Sequence, residues 1–159
     1  MKNKITDKFY SGRIVCLPPM TWASAECADC RTVLKNFIDE IDLFSIKPDT
    51  RVFGYNAFGK ESNANALFAS IPDDLEIPDS LQKIKFCGGL YLMFIGNSNM
   101  NFNMNHWLEN NDKYESTQLE DGRPIMEEFI NPYNRYGWIN NEYNEPDSVT
   151  DVYFPIKPR

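Results

Sequence analysis

One segment of the chain carries apolar residues at the spacing of a helix face. These residues are Val33, Leu34, Phe37, Ile38 and Ile41. Asp29 comes just before them and is placed to act as the N-cap residue of the helix. The pattern therefore predicts an amphipathic α-helix that begins at Cys30 and covers an apolar sheet.

Extended apolar runs predict the strands of that sheet. They cover residues 13–17, 20–25, 51–56, 67–71, 82–95, 123–130 and 151–157. Pro18 and Pro19 separate the first two runs because proline has no amide donor, and Gly88 with Gly89 predicts a bend in the fifth. A second, short helix is predicted from four residues that share one face: Met100, Met104, Trp107 and Leu108.

The order of these elements predicts the fold class. Two successive units run strand, helix, strand, strand, which indicates an α+β domain with a largely antiparallel sheet. The sequence contains neither a Gly/Ser linker nor a short internal repeat. We therefore expect residues 1–159 to form a single domain.

Charge and apolar content exclude several functional classes. Sixteen Lys and Arg residues against 23 Asp and Glu give a net charge of -7, which disfavours direct binding to nucleic acid. The longest uncharged apolar run, from Gly88 to Gly96, is far shorter than the roughly 20 residues that span a bilayer. The first ten residues lack the apolar region of a secretory signal. We expect a cytoplasmic protein that does not bind a membrane.

Four cysteines are expected to be reduced thiols in a chain without a secretory signal: Cys16, Cys27, Cys30 and Cys87. Zinc binding is disfavoured because the sequence has one close cysteine pair and a single histidine. Redox chemistry is disfavoured because Glu26 and Asp29 oppose thiolate formation at that pair. We expect one cysteine to pack inward at the start of the helix, and we predict no metal and no cofactor.

The most informative segment places two neighbouring carboxylates in an alternating strand. Alternation puts Glu127 on one face with Phe129, and Glu128 on the other face with Met126. One of the two acids points into apolar surroundings, unless the strand is a solvated edge strand. A buried carboxylate requires an arginine, a hydrogen-bond network or a cationic ligand to compensate its charge. Both acids are therefore candidate site residues.

The chain is also rich in aromatic residues, with eleven Phe, eight Tyr and three Trp. Five of them lie on predicted strands: Phe53, Tyr55, Tyr91, Phe129 and Tyr153. Rings around an acid can hold flat or cationic organic molecules by stacking and cation–π attraction. Ordinary core packing accounts for most of these rings.

The segments resemble a known family in their order and spacing. Pro124-Ile-Met-Glu127-Glu-Phe129 resembles the Pro-x-x-Glu-x-aromatic motif of the GyrI-like small-molecule-binding family, which includes AraC-type effector-binding domains. Further similar segments are 17–20, 33–41, 51–56, 88–91, 107–111 and 151–156. The resemblance covers about residues 12–157. The few residues before it leave no room for a helix-turn-helix module, so we expect a stand-alone member.

The resemblance implies a pseudo-twofold pair of βαββ units whose antiparallel sheet forms a central groove for hydrophobic, often cationic, small molecules. The family's pocket acid falls on Glu127, and Phe129 stands where a tyrosine is commoner. The aromatic residues then expected to bind the ligand are Tyr55, Tyr91, Phe129, Tyr153, Trp22, Trp107 and Trp138.

Three functions follow as hypotheses. The first is an effector-binding domain that senses or sequesters a hydrophobic, aromatic or cationic molecule at Glu127, in connection with transcription control. The second is hydrolysis of electrophilic cyclopropanoid compounds, as in some stand-alone relatives, with Glu127 as general base and Tyr91 hydrogen-bonded to the oxyanion. His106 is expected to be a helix-surface or packing residue, so no nucleophile triad is formed. The third is binding to a protein partner, as a gyrase inhibitor does.

Overall fold

The computed structural model describes residues 12–26, 28–55, 66–95, 100–117, 120–130 and 149–159. Within these ranges the strands are β1 (Arg13–Leu17), β2 (Met20–Glu26), β3 (Val52–Tyr55), β4 (Ala66–Ile71), β5 (Gln82–Phe86), β6 (Gly89–Ile95), β7 (Tyr114–Ser116), β8 (Met126–Ile130) and β9 (Val149–Pro158). The helices are α1 (Cys30–Glu40), α2 (Leu43–Ile46) and α3 (Met100–Glu109). None of these described helices has the length and apolarity needed to cross a membrane.

Eight of the strands form one curled antiparallel sheet in the order β1-β6-β9-β8-β3-β4-β2-β5, and β7 pairs with the end of β9. The α+β class with a largely antiparallel sheet is therefore confirmed. The order is symmetric about the central pair β3 and β8, because β1, β2, β3 and β4 correspond to β5, β6, β8 and β9. β1 pairs with β6, and β5 pairs with β2, so each half completes the sheet of the other.

The bends that follow β1 and β5 meet each other. Gly88 has a φ of +72°, and a Cβ atom there would lie 2.4 Å from the carbonyl oxygen of Leu17. Only glycine tolerates both the backbone conformation and the close approach. The predicted bend at this position is confirmed, and it divides the fifth predicted strand into β5 and β6.

The two faces of the sheet differ in what they pack against. One face, here called the helix-facing side, holds Ala69 and Val52 under α1, and Val152 and Phe94 under α3. The opposite side, here called the aromatic face, carries a buried cluster made of Leu17, Trp22, Phe53, Ala66, Phe68, Phe86, Tyr91, Met93, Met126 and Tyr153. The candidate site lies on the aromatic face.

Helix α1 begins at Cys30 as the sequence predicts, and Cys30 is buried there. Asp29 occupies the N-cap position, as the sequence predicts, but its side chain does not cap the helix. Its carboxylate makes no capping hydrogen bond, and only its carbonyl oxygen accepts one, from the amide of Val33 at 3.2 Å. Strand β7 and helix α2 were not predicted, because elements this short carry too few residues to show a period.

Candidate functional site

Strands β2, β4 and β5 place a stack of aromatic rings on the aromatic face. The ring of Trp22 stacks on the ring of Phe86, with 4.3 Å between centroids, and on the ring of Phe68, with 4.9 Å. Trp22 is only 2% exposed. The side chains reach one another because alternate residues of a strand point to the same side.

The rings continue across the sheet to the second half of the chain. Trp22 contacts Phe53 at 5.7 Å between centroids, and Phe53 contacts Tyr153 at 6.3 Å. Tyr153 meets Tyr91 edge to face at 6.1 Å, and Tyr91 meets Phe86 at 6.3 Å. Five rings from β2, β3, β5, β6 and β9 thus form a closed circuit, whose tilted and edge-on contacts are the favourable aromatic geometries.

Trp22 and Tyr91 occupy corresponding positions in the two halves. Each is the third residue of its strand, β2 or β6. The indole nitrogen of Trp22 and the hydroxyl of Tyr91 are both buried, and neither has a hydrogen-bond partner within the described ranges. Burial raises the pKa of Tyr91, so its hydroxyl stays protonated. Within the described residues, two buried donors on the aromatic face therefore make no hydrogen bond, which lowers the stability of the fold.

A buried ion pair lies at the centre of the sheet, beside this circuit. Glu128 on β8 accepts hydrogen bonds from Nε and from a terminal nitrogen of Arg51, at 2.7 and 2.6 Å, and from the hydroxyl of Tyr153 at 2.6 Å. The Glu128 side chain is 10% exposed and that of Arg51 is 30% exposed. The carboxylate is tolerated among the rings because the arginine fork neutralises its charge with bidentate geometry.

The ion pair also shifts the protonation of its neighbours. Hydrogen bonds to Glu128 raise the pKa of Arg51, although burial opposes this effect. Burial and the nearby negative charge of Glu128 raise the pKa of Tyr153. Burial raises the pKa of Asp151, which lies opposite Glu128 in the ladder, and the charge of Glu128 adds to this. Both Arg51 and Arg13 oppose the shift at Asp151. At neutral pH, Arg51 is therefore a permanent cation, and Tyr153 is a donor.

A cavity of about 480 Å³ lies on the aromatic face, next to the stack. The wall from the sheet includes Trp22, Phe68, Ile84 and Phe86, and the loop residues 121–124 form another part of the lining. This volume falls in the range of about 300–1,000 Å³ that is typical of small-molecule sites. Glu128 is not among the lining residues. The ring of Phe53 contacts Trp22 and lies under the Arg51 guanidinium, so Phe53 links the cavity wall to the ion pair.

Arg123 fixes the loop wall of the cavity to the sheet. Its two terminal nitrogens donate to the carbonyl oxygens of Leu90 at 2.6 Å and Ile156 at 2.9 Å, and its Nε pairs with Asp121 at 2.8 Å. The guanidinium carbon lies 5.1 Å from the centroid of the Tyr91 ring. Gly89 leaves the space for this side chain, because a Cβ atom there would lie 2.6 Å from an Arg123 nitrogen.

The structure brings together three of the aromatic residues singled out in the sequence, namely Trp22, Tyr91 and Tyr153, on the aromatic face. Phe129 lies on the opposite side, where it packs against the α1 cluster, and its ring approaches Gly54. Trp107 also lies on the helix-facing side, in the cluster under α3. Tyr55 ends β3 opposite Met126, and its side chain is outside the described part of the chain, as is the whole of Trp138.

The two candidate acids lie on opposite sides of the sheet. Glu127 pairs with Gly54 and Val152, which places it on the helix-facing side, while Glu128 pairs with Phe53 on the aromatic face. The motif resemblance selected Glu127, whereas the alternation of the strand left both acids open. Tyr91 faces the aromatic side, so the structure does not bring Glu127 and Tyr91 to one substrate. In the described ranges, no three His, Cys, Asp or Glu residues cluster to hold a metal.

Sequence reasoning missed Arg51, Phe68 and Phe86 as site residues. A signal for Arg51 was present, because it lies two residues before Phe53 in the predicted run 51–56 and so projects to the same side. No such signal exists for its pairing with Glu128, 77 residues away in the chain. That pairing depends on β3 and β8 lying side by side at the centre of the sheet.

No family model and no curated protein matches this chain. Solved structures do match it. The crystal structure of the EcmrR C-terminal domain is 15% identical, with 92% of this chain and 97% of that chain covered and a TM-score of 0.58. EcmrR in a cryo-EM complex with DNA is 17% identical with a TM-score of 0.59, and the match covers 92% of this chain but 57% of EcmrR.

A third match is the crystal structure of a hydrolase from Listeria innocua. It is 12% identical, covers 97% of this chain and 98% of that chain, and has a TM-score of 0.62. At these identities the matches show the fold alone. The chain therefore shares its fold with the EcmrR C-terminal domain and with this hydrolase.

Proposed function

We propose that this domain binds hydrophobic, aromatic small molecules on its aromatic face. The observation that carries the proposal is the 480 Å³ cavity walled by Trp22, Phe68 and Phe86. Flat rings gain stacking contacts and buried apolar area against such a wall. The indole donor of Trp22 supports the proposal, because Trp22 lines the cavity and a ligand with an acceptor atom can satisfy this donor after a local adjustment.

In this proposal the central acid of the groove is Glu128 rather than Glu127. Glu128 is the carboxylate that shares the aromatic face with the cavity wall, and Arg51 and Tyr153 hold it in place. Its role is to keep the rings of Phe53 and Tyr153 in position beside the cavity.

Binding of this kind suits a domain that senses or sequesters an effector. EcmrR, which shares the fold, has been solved in complex with DNA, and this chain spans 57% of its length. We extend the proposal to a regulatory role, in which ligand binding at the aromatic face alters the contacts of the domain with another macromolecule.

The test is a thermal-shift and fluorescence screen with flat aromatic compounds, on the wild type and two variants. Ile84→Trp fills the cavity from edge strand β5, and Ile14→Trp makes the same change on edge strand β1, where Ile14 is exposed on the other face. A ligand at 100 times its Kd adds about 2.7 kcal/mol to the stability of the folded state. We expect Ile84→Trp to lose this stabilisation and Ile14→Trp to keep it.

Two results would contradict the proposal. One is that no flat aromatic compound stabilises the wild-type protein. The other is that Ile84→Trp, while folded, binds a stabilising compound as tightly as the wild type, because the compound would then occupy a different place. Mass spectrometry of the ligand after incubation reports in the same samples whether the ligand is changed chemically.

A further inference from the structure

We infer that Arg51 makes the aromatic face selective for neutral aromatic molecules over lipophilic cations, because Arg51 already occupies both the acid and the ring that a cation would use. The inference rests on the proposed function and names the class of ligand. It assigns to Arg51 the role of a specificity-determining residue that acts through Glu128 and Phe53.

Glu128, the buried acid of the aromatic face, has no unpaired charge to offer. Both carboxylate oxygens of Glu128 accept hydrogen bonds from Arg51, and one also accepts from the hydroxyl of Tyr153. A ligand cation could pair with Glu128 only by displacing Arg51. The displaced guanidinium, which is only 30% exposed, would then lose its partner, and an unpaired, partly buried charge is strongly unfavourable.

The rings beside the cavity also hold cations that belong to the protein. The guanidinium of Arg51 lies 5.1 Å from the centroid of the Phe53 ring, and that of Arg123 lies 5.1 Å from the centroid of the Tyr91 ring. These are cation–π positions within the roughly 6 Å reach of the interaction. At the rings of Phe53 and Tyr91, an incoming cation would therefore meet a like charge.

The charges at the rim of the cavity are balanced as well. Asp121 pairs with Arg123, and Lys85 pairs with Asp73 on the surface. Glu26, at the margin of the cavity, is exposed, and its charge is screened by water. A cation that enters the cavity from water thus gains no buried counter-charge among the described residues that line it. A neutral ring system keeps the stacking contacts with Trp22 and Phe86 at no such cost.

The experiment compares acridine, which is neutral at pH 8, with N-methylacridinium, a cation of nearly the same shape. Kd values are measured by fluorescence titration at fixed ionic strength. For the wild type we expect acridine to bind at least about tenfold more tightly than N-methylacridinium, the size of effect that one lost cation–π contact or one like charge produces.

Three variants separate charge from structure. Arg51→Met removes the guanidinium but keeps an unbranched side chain. It should raise the affinity for N-methylacridinium at least about tenfold, while the affinity for acridine changes less than about threefold. Arg51→Lys keeps the positive charge and should retain the preference for acridine. The double variant Arg51→Met/Glu128→Gln removes both charges, so it folds without an unpaired acid and should lack most of the gain in cation affinity.

The outcomes distinguish this inference from the proposed function. If the wild type binds the cation as tightly as the neutral compound, or if folded Arg51→Met leaves the ratio of the two Kd values unchanged, the inference is wrong and the binding function stands. If Arg51→Met does not fold, the double variant decides. If the double variant binds N-methylacridinium only as tightly as the wild type does, the result supports the role of Glu128 in the inference. If it binds the cation tenfold or more tightly than the wild type, the result contradicts that role. If the wild type binds neither compound nor any other flat aromatic, the proposed function fails.

Discussion

Replacing Glu128 by glutamine should destabilise the protein far more than the same change at Glu127. The substitution keeps the shape of the side chain but turns one acceptor oxygen into a donor that faces Arg51. The variant loses one charge-assisted hydrogen bond of about 1.5–3 kcal/mol and leaves the guanidinium without its counter-charge. Because the Arg51 side chain is 30% exposed, water recovers part of this loss, and we expect a net destabilisation of about 2–3 kcal/mol.

The assay is equilibrium unfolding in urea at pH 7, followed by tryptophan fluorescence and circular dichroism. For a chain of this length, 2–3 kcal/mol corresponds to a fall in Tm of about 5–10 °C. Glu127→Gln is the matched control, because it makes the same chemical change one residue earlier, at a partly exposed position on the helix-facing side. We expect it to cost less than about 1 kcal/mol, with an unchanged dependence of the unfolding free energy on urea concentration.

The comparison tests the assignment of the faces of β8. A shift of one residue in the pairing of this strand would exchange the two acids and every other side chain of the strand. If Glu127→Gln destabilises the protein more than Glu128→Gln does, the register between β3 and β8 differs from the one described. The ion pair between Arg51 and Glu128 then does not form. Equal and small effects would show that the ion pair does not contribute to stability.

Three further predictions concern stability and pH. Gly88→Ala should lower the free energy of unfolding by more than about 3 kcal/mol in urea unfolding. Gly122 has nearly the same positive φ but no atom within 4 Å of the new Cβ, so Gly122→Ala should lower it by only about 1–2 kcal/mol. Equal losses would contradict the close contact at Gly88. Tyr91→Phe removes a hydroxyl that has no partner in the described structure, so it should leave Tm unchanged or raise it. Tyr153→Phe loses a hydrogen bond to Glu128 and should lower the free energy of unfolding by about 1–2 kcal/mol. A larger loss of stability for Tyr91→Phe than for Tyr153→Phe would contradict this geometry. Burial raises the pKa of Asp151 in the folded state, so its ionisation opposes folding as pH rises above the unfolded pKa of about 4. Asp151→Asn should therefore stabilise the protein at pH 7 and not at pH 3, as measured by urea unfolding at both pH values. An equal gain in stability at pH 3 and pH 7 would exclude the charge of Asp151 as the cause of the gain.

Most of the secondary structure could be predicted from the sequence, because it depends on local patterns. The apolar period from Val33 to Ile41 specified α1, and the alternating run at Met126 specified β8. The pattern also showed that Glu127 and Glu128 face opposite sides, and that a buried acid needs a compensating group. These conclusions require only neighbours within a few residues, where backbone geometry fixes the direction of each side chain.

The tertiary structure alone decided which acid is buried and what compensates it. Alternation is the same whichever side of the sheet the helices cover, so the strand could not distinguish Glu127 from Glu128. The choice follows from α1 and α3 packing on the side of Val52 and Val152, which leaves the other side to the rings. Arg51 reaches Glu128 across 77 residues of sequence because the central strands of the two halves pair there. Contacts of this kind are set by the packing of whole elements, and no local pattern contains them.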